Sequence, residues 1–304
     1  MSRRLLLLLL FILVASALLF VPLPIARTYA GQTIENAGHT PLFLIGTLFV
    51  IAILRHDYRF EGARLYAFAG LICAGAGLLS EIIQKPLRRD ASWGDVFEDI
   101  LGVVCGLALH AAFARRNHLS KVARGAVMLI ALSCLAVYLT PIVNMGRAYM
   151  HRNKHFPVLA SFDSRVQQFW IVGYGVSREI RDGALDVEFE AQRWPGFSFF
   201  EPVPDWSHFK TLVIDVENPD AEVLHLGVRV HDAGRHRGRR YADRFNRNFE
   251  LAAGERKVIE IPLEDIRHGP RDRLMNMAKI SDVTLFRGKE TGSRHLRLYL
   301  MRLE

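Results

Sequence analysis

The stretch KTLVIDVENPDAEVLHLGVRVHD, residues 210–232 of a 304-residue chain, decides how the second half of the molecule folds. The run KTLVIDVEN (210–218) stops at Asn218-Pro219-Asp220, a turn signal. EVLHLGVRVHD (222–232) then alternates apolar and polar residues until a Gly/Arg-rich loop. The same rhythm continues downstream in RFNRNFEL (244–251), RKVIEIPL (256–263), KISDVTLFRG (279–288) and HLRLYLMRL (295–303). Upstream it appears in ALDVEFEA (184–191), and a further strand is expected near Phe169–Val172. About eight short strands with no long helical pattern predict an antiparallel β-sandwich or barrel with one solvated face.

Before residue 150 the chain changes character. Residues 1–150 hold 14 basic and 8 acidic residues; residues 151–304 hold 25 and 23. Averages of 50% hydrophobic and 23% charged exclude a disordered tail or a collagen-like chain, yet conceal this division. Five stretches approach the ~20 apolar residues that a bilayer requires: 5–22, 40–54, 63–83, 96–113 and 122–143. The expected fold class is therefore multi-domain. An all-α transmembrane bundle of about five spans fills 1–143. A polar juxtamembrane connector spans 144–167, and an all-β sandwich occupies 168–304. Much of the net charge of +8 flanks apolar segments, so nucleic acid is not an expected partner. Cys73, Cys105 and Cys134 all lie in apolar runs, which leaves no disulfide framework or Cys-rich zinc site in the second half.

Basic residues give the expected sidedness. With the N-terminus inside, inner segments carry nine (among them Arg55, Arg59, Arg115 and Arg116), whereas the outer loops before the fifth span carry Arg27, Lys85, Arg88 and Arg89. The sandwich then falls outside the membrane. The Lys85/Arg88/Arg89 cluster runs against the rule, which points to pairing or function.

Two polar stripes give that cluster partners. Gly70, Ala74, Gly77, Glu81 and Gln84 recur at helical spacing on one face of the third span, and Asp95, Asp99, Gly102, Gly106 and His110 do so on the fourth. Small residues let helices approach closely, and ionisable groups bordering a span are functional candidates. Asp95 also suits a helix N-terminus. ENAGHTPLFLIGTLF (35–49) followed by SEIIQKPLRRDASWGDVFEDILGVVCG (80–106) resembles the VanZ-like family over about residues 30–115. The positions that carry the resemblance are His39, Glu81, Gln84, Arg88 or Arg89, Asp95, Asp99 and Gly102, with Asp99 standing where many members have Asn. The resemblance implies a protein of the bacterial cytoplasmic membrane and cell envelope without implying a settled reaction. Catalysis by His39, Glu81 and Asp95 as an acid–base group on a lipid-linked phosphate, with Arg88 on the phosphate, is the alternative function.

In the second half, Trp206 within DWSHFKTLVIDVEN, His231-Asp232, DRFNRNFEL, IPLEDI and the final LRLYLMRL resemble the galactose-binding-like jelly-roll domains, which include carbohydrate-binding modules. That resemblance covers about residues 160–304 and implies binding of a glycan or of an envelope protein. Aromatic faces stack on sugars while Asp, Asn, Arg and His bond hydroxyls. The ligand-binding candidates are Trp194, Trp206, His231, Asp232, Arg237, Arg239, Arg240, Tyr241, Arg244 and Asn246. The loop GRHRGRRYADR (234–244), with six basic residues, suits an acidic polymer or a phospholipid surface. No cofactor is evident; paired acids and backbone carbonyls of such a sandwich can hold a structural calcium ion, but no EF-hand spacing is present to support one, and the metal is left unassigned.

Overall fold

The computed structural model describes residues 28–84, 93–114, 119–234, 242–288 and 292–304, together with Leu6, Leu7, Leu10, Phe11 and Val14. It divides into two compact units, Met1–Met145 and Gly146–Glu304.

The first unit is helical. Thr28 caps α1 (Tyr29–Ala37) by accepting a 2.9 Å hydrogen bond from the Gly31 N–H. Then follow α2 (His39–His56), α3 (Gly62–Gln84), α4 (Trp93–Phe113) and α5 (Lys121–His155). Among the described residues four helical segments, not five, are long and apolar enough to cross a membrane: Tyr29–His56, Gly62–Ile83, Trp93–Phe113 and Lys121–His155. The expected span at 5–22 lies almost wholly outside the described residues; its five described members are helical. α5 continues past Val143 to His155, because backbone hydrogen bonding carries the helix beyond its apolar stretch. Its final residues belong to the second unit.

The glycine stripe has a direct structural cause. A Cβ added at Gly102 would lie 2.3 Å from the Thr40 carbonyl oxygen and 3.0 Å from the Leu44 nitrogen. One at Gly106 would lie 3.0 Å from the Leu44 carbonyl oxygen. α4 therefore presses backbone to backbone on α2, which only glycine permits. Outward, Leu71, Ile82, Val122 and Leu129 are exposed. Exposed apolar surface of this extent suits a lipid or protein environment.

The second unit is a two-sheet antiparallel sandwich. One sheet has the order β3 (Val176–Arg181), β4 (Ala184–Phe189), β11 (His295–Leu303), β6 (Thr211–Glu217), β9 (Arg256–Pro262). β1 (Val158–Ala160) pairs with Met301 and Arg302 of β11, beyond the His295–Leu298 stretch that pairs with β4. The other sheet runs β2 (Ile171–Tyr174), β5 (Gly196–Phe200), β10 (Ile280–Arg287), β7 (Leu224–Asp232), β8 (Phe245–Leu251). A short helix, α6 (Leu263–Arg267), follows β9. Alternate residues of both sheets, including Leu185, Phe197, Ile214, Leu226, Val228, Ile261, Leu285 and Leu298, meet in one buried core. Residues 144–167, the expected polar connector, comprise the end of α5, β1 and the start of a 3-10 turn (Arg165–Trp170). Within the second unit Tyr149 donates to Glu201 Oε2 at 2.6 Å, and Arg152 donates to the Glu201 carbonyl at 2.7 Å. The Arg152 guanidinium also lies 5.1 Å from the centre of the Trp170 ring.

Candidate functional site

Cross-strand pairing places the outward side chains of the β2–β5–β10–β7–β8 sheet in three rows, since residues directly opposite one another share a face. The first row is Tyr174, Gly196, Phe286, Gly227, Asn248. The second is Val172, Ser198, Thr284, Arg229, Asn246. The third is Phe200, Asp282, His231.

Phe286 forms the floor. A Cβ at Gly227 would sit 2.2 Å from Phe286 Cζ, so the ring lies across the bare backbone of β7. The Arg229 guanidinium is 4.5 Å from the ring centre, and Trp194 meets it edge-on at 5.9 Å. Trp194 adopts a positive φ of 60°, a strained backbone for this residue type. It is 40% exposed, and Tyr174 is 41% exposed. Burial pushes the Tyr174 phenol above its ordinary pKa, while Arg229 and Arg244 pull it down and Asp282 pushes it up. Charges from β7, from the residue before β8 and from β10 thus act on one phenol. Arg229 also donates to Asn246 Oδ1 at 3.4 Å, and Ser198 and Thr284 share a 2.7 Å hydrogen bond.

The outer face of the other sheet is different. Arg297 donates to Asp186 at 2.7 Å, Arg256 binds Asp215 through two bonds of 3.0 and 2.8 Å and covers the Tyr299 ring, and Tyr299 donates to Glu217. These charges satisfy one another, as exposed ion pairs commonly do.

Of the sequence candidates, Trp194, His231, Arg244 and Asn246 belong to the aromatic and polar face or its edge. Trp206 does not: it is fully buried in the core and donates its indole N–H to the Val203 carbonyl at 2.9 Å. Asp232 is a structural anchor rather than a ligand group. Its buried carboxylate accepts two 2.6 Å bonds from Arg273 and a 2.7 Å bond from the Asn276 N–H. Burial pushes this carboxyl up, but those hydrogen bonds and the arginine charge outweigh it and hold the pKa below the usual range. Arg237, Arg239, Arg240 and Tyr241 lie outside the described residues. The sequence reading missed Tyr174, Arg229, Asn248, Asp282 and Phe286. Period-two alternation within β7, β8 and β10 already places Arg229, Asn248, Asp282 and Phe286 on outward faces, whereas Tyr174 ends the short β2, and the pairing register that unites them is not readable from one strand.

In the helical unit, His39 Nδ1 lies 2.8 Å from Asp99 Oδ1, and both side chains are buried. Glu81 is buried beside them; ligand atoms of His39, Glu81 and Asp99 all lie within 4.8 Å of one another. Asp99, rather than Asp95, is therefore the acid hydrogen-bonded to His39. Asp95 sits one turn earlier, half-buried in the first turn of α4. Thr40 donates to both the side chain and the carbonyl of Glu98. Gln84 ends α3, and Arg88 and Arg89 lie outside the described residues.

No protein-family model matches this chain, and no curated protein matches it. Among solved structures, it is similar to the family 11 carbohydrate-binding module from Clostridium thermocellum in complex with a β-1,3-1,4-mixed-linked tetrasaccharide. The identity is 14% and the TM-score 0.38, over 48% of this chain and 93% of that one. A non-crystalline-cellulose-specific module, CBM28, is similar at 11% identity and TM-score 0.34, over 48% and 93%. An agarase is similar at 17% identity and TM-score 0.35, over 44% of this chain and 24% of its own length. The chain thus spans less than a quarter of that agarase. At these TM-scores the likeness carries no argument about function, and the sandwich stands on its own strand pairing.

Proposed function

We propose that this is a multi-pass protein of the bacterial cytoplasmic membrane whose sandwich, held outside the membrane, binds a glycan of the cell envelope. One observation carries the binding reading: the three rows across β2, β5, β10, β7 and β8. They set the exposed Tyr174 ring, and through its edge contact with Phe286 the exposed Trp194 ring, beside the hydrogen-bonding groups of Asn246, Asn248, Arg229 and Asp282. Rings offer apolar faces to sugar C–H groups, and planar amides and a guanidinium offer directed hydrogen bonds to hydroxyls. A protein partner would call for a broader apolar centre. The VanZ-like and galactose-binding-like resemblances agree with this reading. So do the four apolar helices, whose exposed Leu, Ile and Val side chains call for lipid.

The test is binding of the full chain, purified in detergent, to an array of neutral and anionic glycans. Binding that Trp194→Ala weakens by about tenfold, ~1.4 kcal/mol, supports the reading. Binding to none of the glycans overturns it. For topology, an alkaline phosphatase fused after residue 304 is expected to be active outside; activity from a fusion near residue 118 with silence at 304 contradicts the orientation.

A second reading, acid–base chemistry on a lipid-linked phosphate, is favoured by the buried His39–Asp99 contact beside Glu81. Full cellular activity in both Glu81→Gln and His39→Ala would eliminate it.

A further inference from the structure

We infer that His39, Glu81 and Asp99 form a binding site for a divalent first-row transition-metal ion inside the helical unit. The three residues come from three helices: His39 opens α2, Glu81 lies in the last turn of α3, and Asp99 lies in the second turn of α4. Each is buried, and their ligand atoms fall within 4.8 Å of one another.

A second observation points to a ligand. Asp99 uses only one carboxylate oxygen, Oδ1, on His39. Its other oxygen, Oδ2, is buried and has no hydrogen-bond partner among the described residues. A buried carboxylate oxygen without a partner is costly. Oδ2 faces α3, where a Cβ at Gly77 would lie 2.9 Å from it. Gly77 and Glu81 are one helical turn apart on the same face of α3. The bare backbone at Gly77 thus admits the Asp99 carboxylate to the side of α3 that carries Glu81.

The donor set is one imidazole nitrogen and two carboxylates, a mixture that suits zinc, manganese or ferrous iron better than calcium. Ligands about 2.1 Å from a tetrahedral ion stand roughly 3.4 Å apart. The 2.8 Å contact between His39 Nδ1 and Asp99 Oδ1 would need to open by only about half an ångström for both groups to ligate an ion in place of their hydrogen bond, with the unpartnered Oδ2 turned to the ion as well. Three protein ligands leave further positions for water or an external oxygen. Buried charges are tolerated when they coordinate a metal, and this site would hold α2, α3 and α4 together. The inference depends on neither the glycan reading nor any reaction.

The experiment strips the full chain, in detergent, with EDTA. It is then reloaded with zinc or manganese chloride, freed of excess ion, and its bound metal counted by mass spectrometry. About one ion per chain is expected. Asp99→Asn and Glu81→Gln, folded by circular dichroism, are expected to bind at least about tenfold more weakly. His295→Ala, which removes an exposed His–Asp pair in the other unit, is expected to keep its ion. Less than about a tenth of an ion in the folded wild-type chain overturns the inference, as does a full ion in folded Asp99→Asn. Should the variants fail to fold, X-ray absorption at the zinc edge of the wild-type protein decides. One imidazole with oxygen ligands at ~2.0–2.2 Å supports the site, and a shell lacking imidazole overturns it.

Discussion

Replacing Arg273 with Met isolates the interaction that most firmly anchors the end of β7. The Asp232 side chain has no solvent exposure, and it loses two 2.6 Å guanidinium bonds in this variant. Arg273 also gives up a 2.6 Å bond to Asp243. The 2.7 Å bond from the Asn276 N–H is all that the contacts above leave to Asp232. Breaking a buried ion pair on one side costs about 3–5 kcal/mol, because a buried charge is left behind. The retained Asn276 bond argues for the lower end, near 3 kcal/mol. Adding Asp232→Asn to Arg273→Met removes that charge and should recover at least about 1 kcal/mol. Because the Asp232 pKa is depressed on folding, its contribution is complete above the ordinary carboxylate value near 3.9. It is lost as pH falls through the lower folded value, so the wild-type chain should weaken below about pH 4. The variant should show less of this acid dependence. The assay is guanidinium unfolding followed by tryptophan fluorescence, which reports chiefly on the sandwich, since Trp170, Trp194 and Trp206 are three of the four tryptophans. A loss under about 1 kcal/mol, or no recovery in the double variant, would refute the reasoning.

Gly102→Val forces a side chain into the Thr40 backbone and should cost about 1–3 kcal/mol beyond Gly75→Val, whose Cβ meets nothing within 4 Å; thermal unfolding monitored by helical circular dichroism compares them. Equal losses would mean that α2 and α4 do not touch at Gly102. Gly227→Ala displaces the Phe286 ring and with it the Trp194 and Arg229 contacts, so glycan affinity should fall by about tenfold or more while the sandwich remains folded. Calorimetric titration of glycan into the folded variant measures this, and unchanged affinity would remove Phe286 from the site.

The strands that alternate were the legible ones. HLRLYLMRL (295–303) is β11 over its whole length, and the run at 256–263 becomes β9. β5, Gly196–Phe200, escaped because its sequence GFSFF lacks the apolar–polar alternation of a half-solvated strand. β3 escaped for the opposite reason: at the sheet edge, VSREIR is mostly exposed and polar. In the helical unit the stripes on α3 and α4 were legible from helical spacing. That Asp99 and not Asp95 meets His39 depends on how α2 is placed against α4, which the glycine spacing hints at without fixing the register. His231 and Asp232 looked like a ligand pair as neighbours in sequence. Alternation along β7 separates them, and Asp232 turns to Arg273, a partner 41 residues away.

The central claim is that the sandwich reads a glycan with the β2–β5–β10–β7–β8 face and not with its opposite. The most direct measurement titrates one array-positive glycan into three full-length proteins: wild type, Trp194→Ala and Arg297→Ala, the last altering the ion-paired face of the other sheet. The account predicts that Trp194→Ala raises Kd about tenfold or more and that Arg297→Ala leaves it within about twofold. Weakening by Arg297→Ala with none by Trp194→Ala would contradict it.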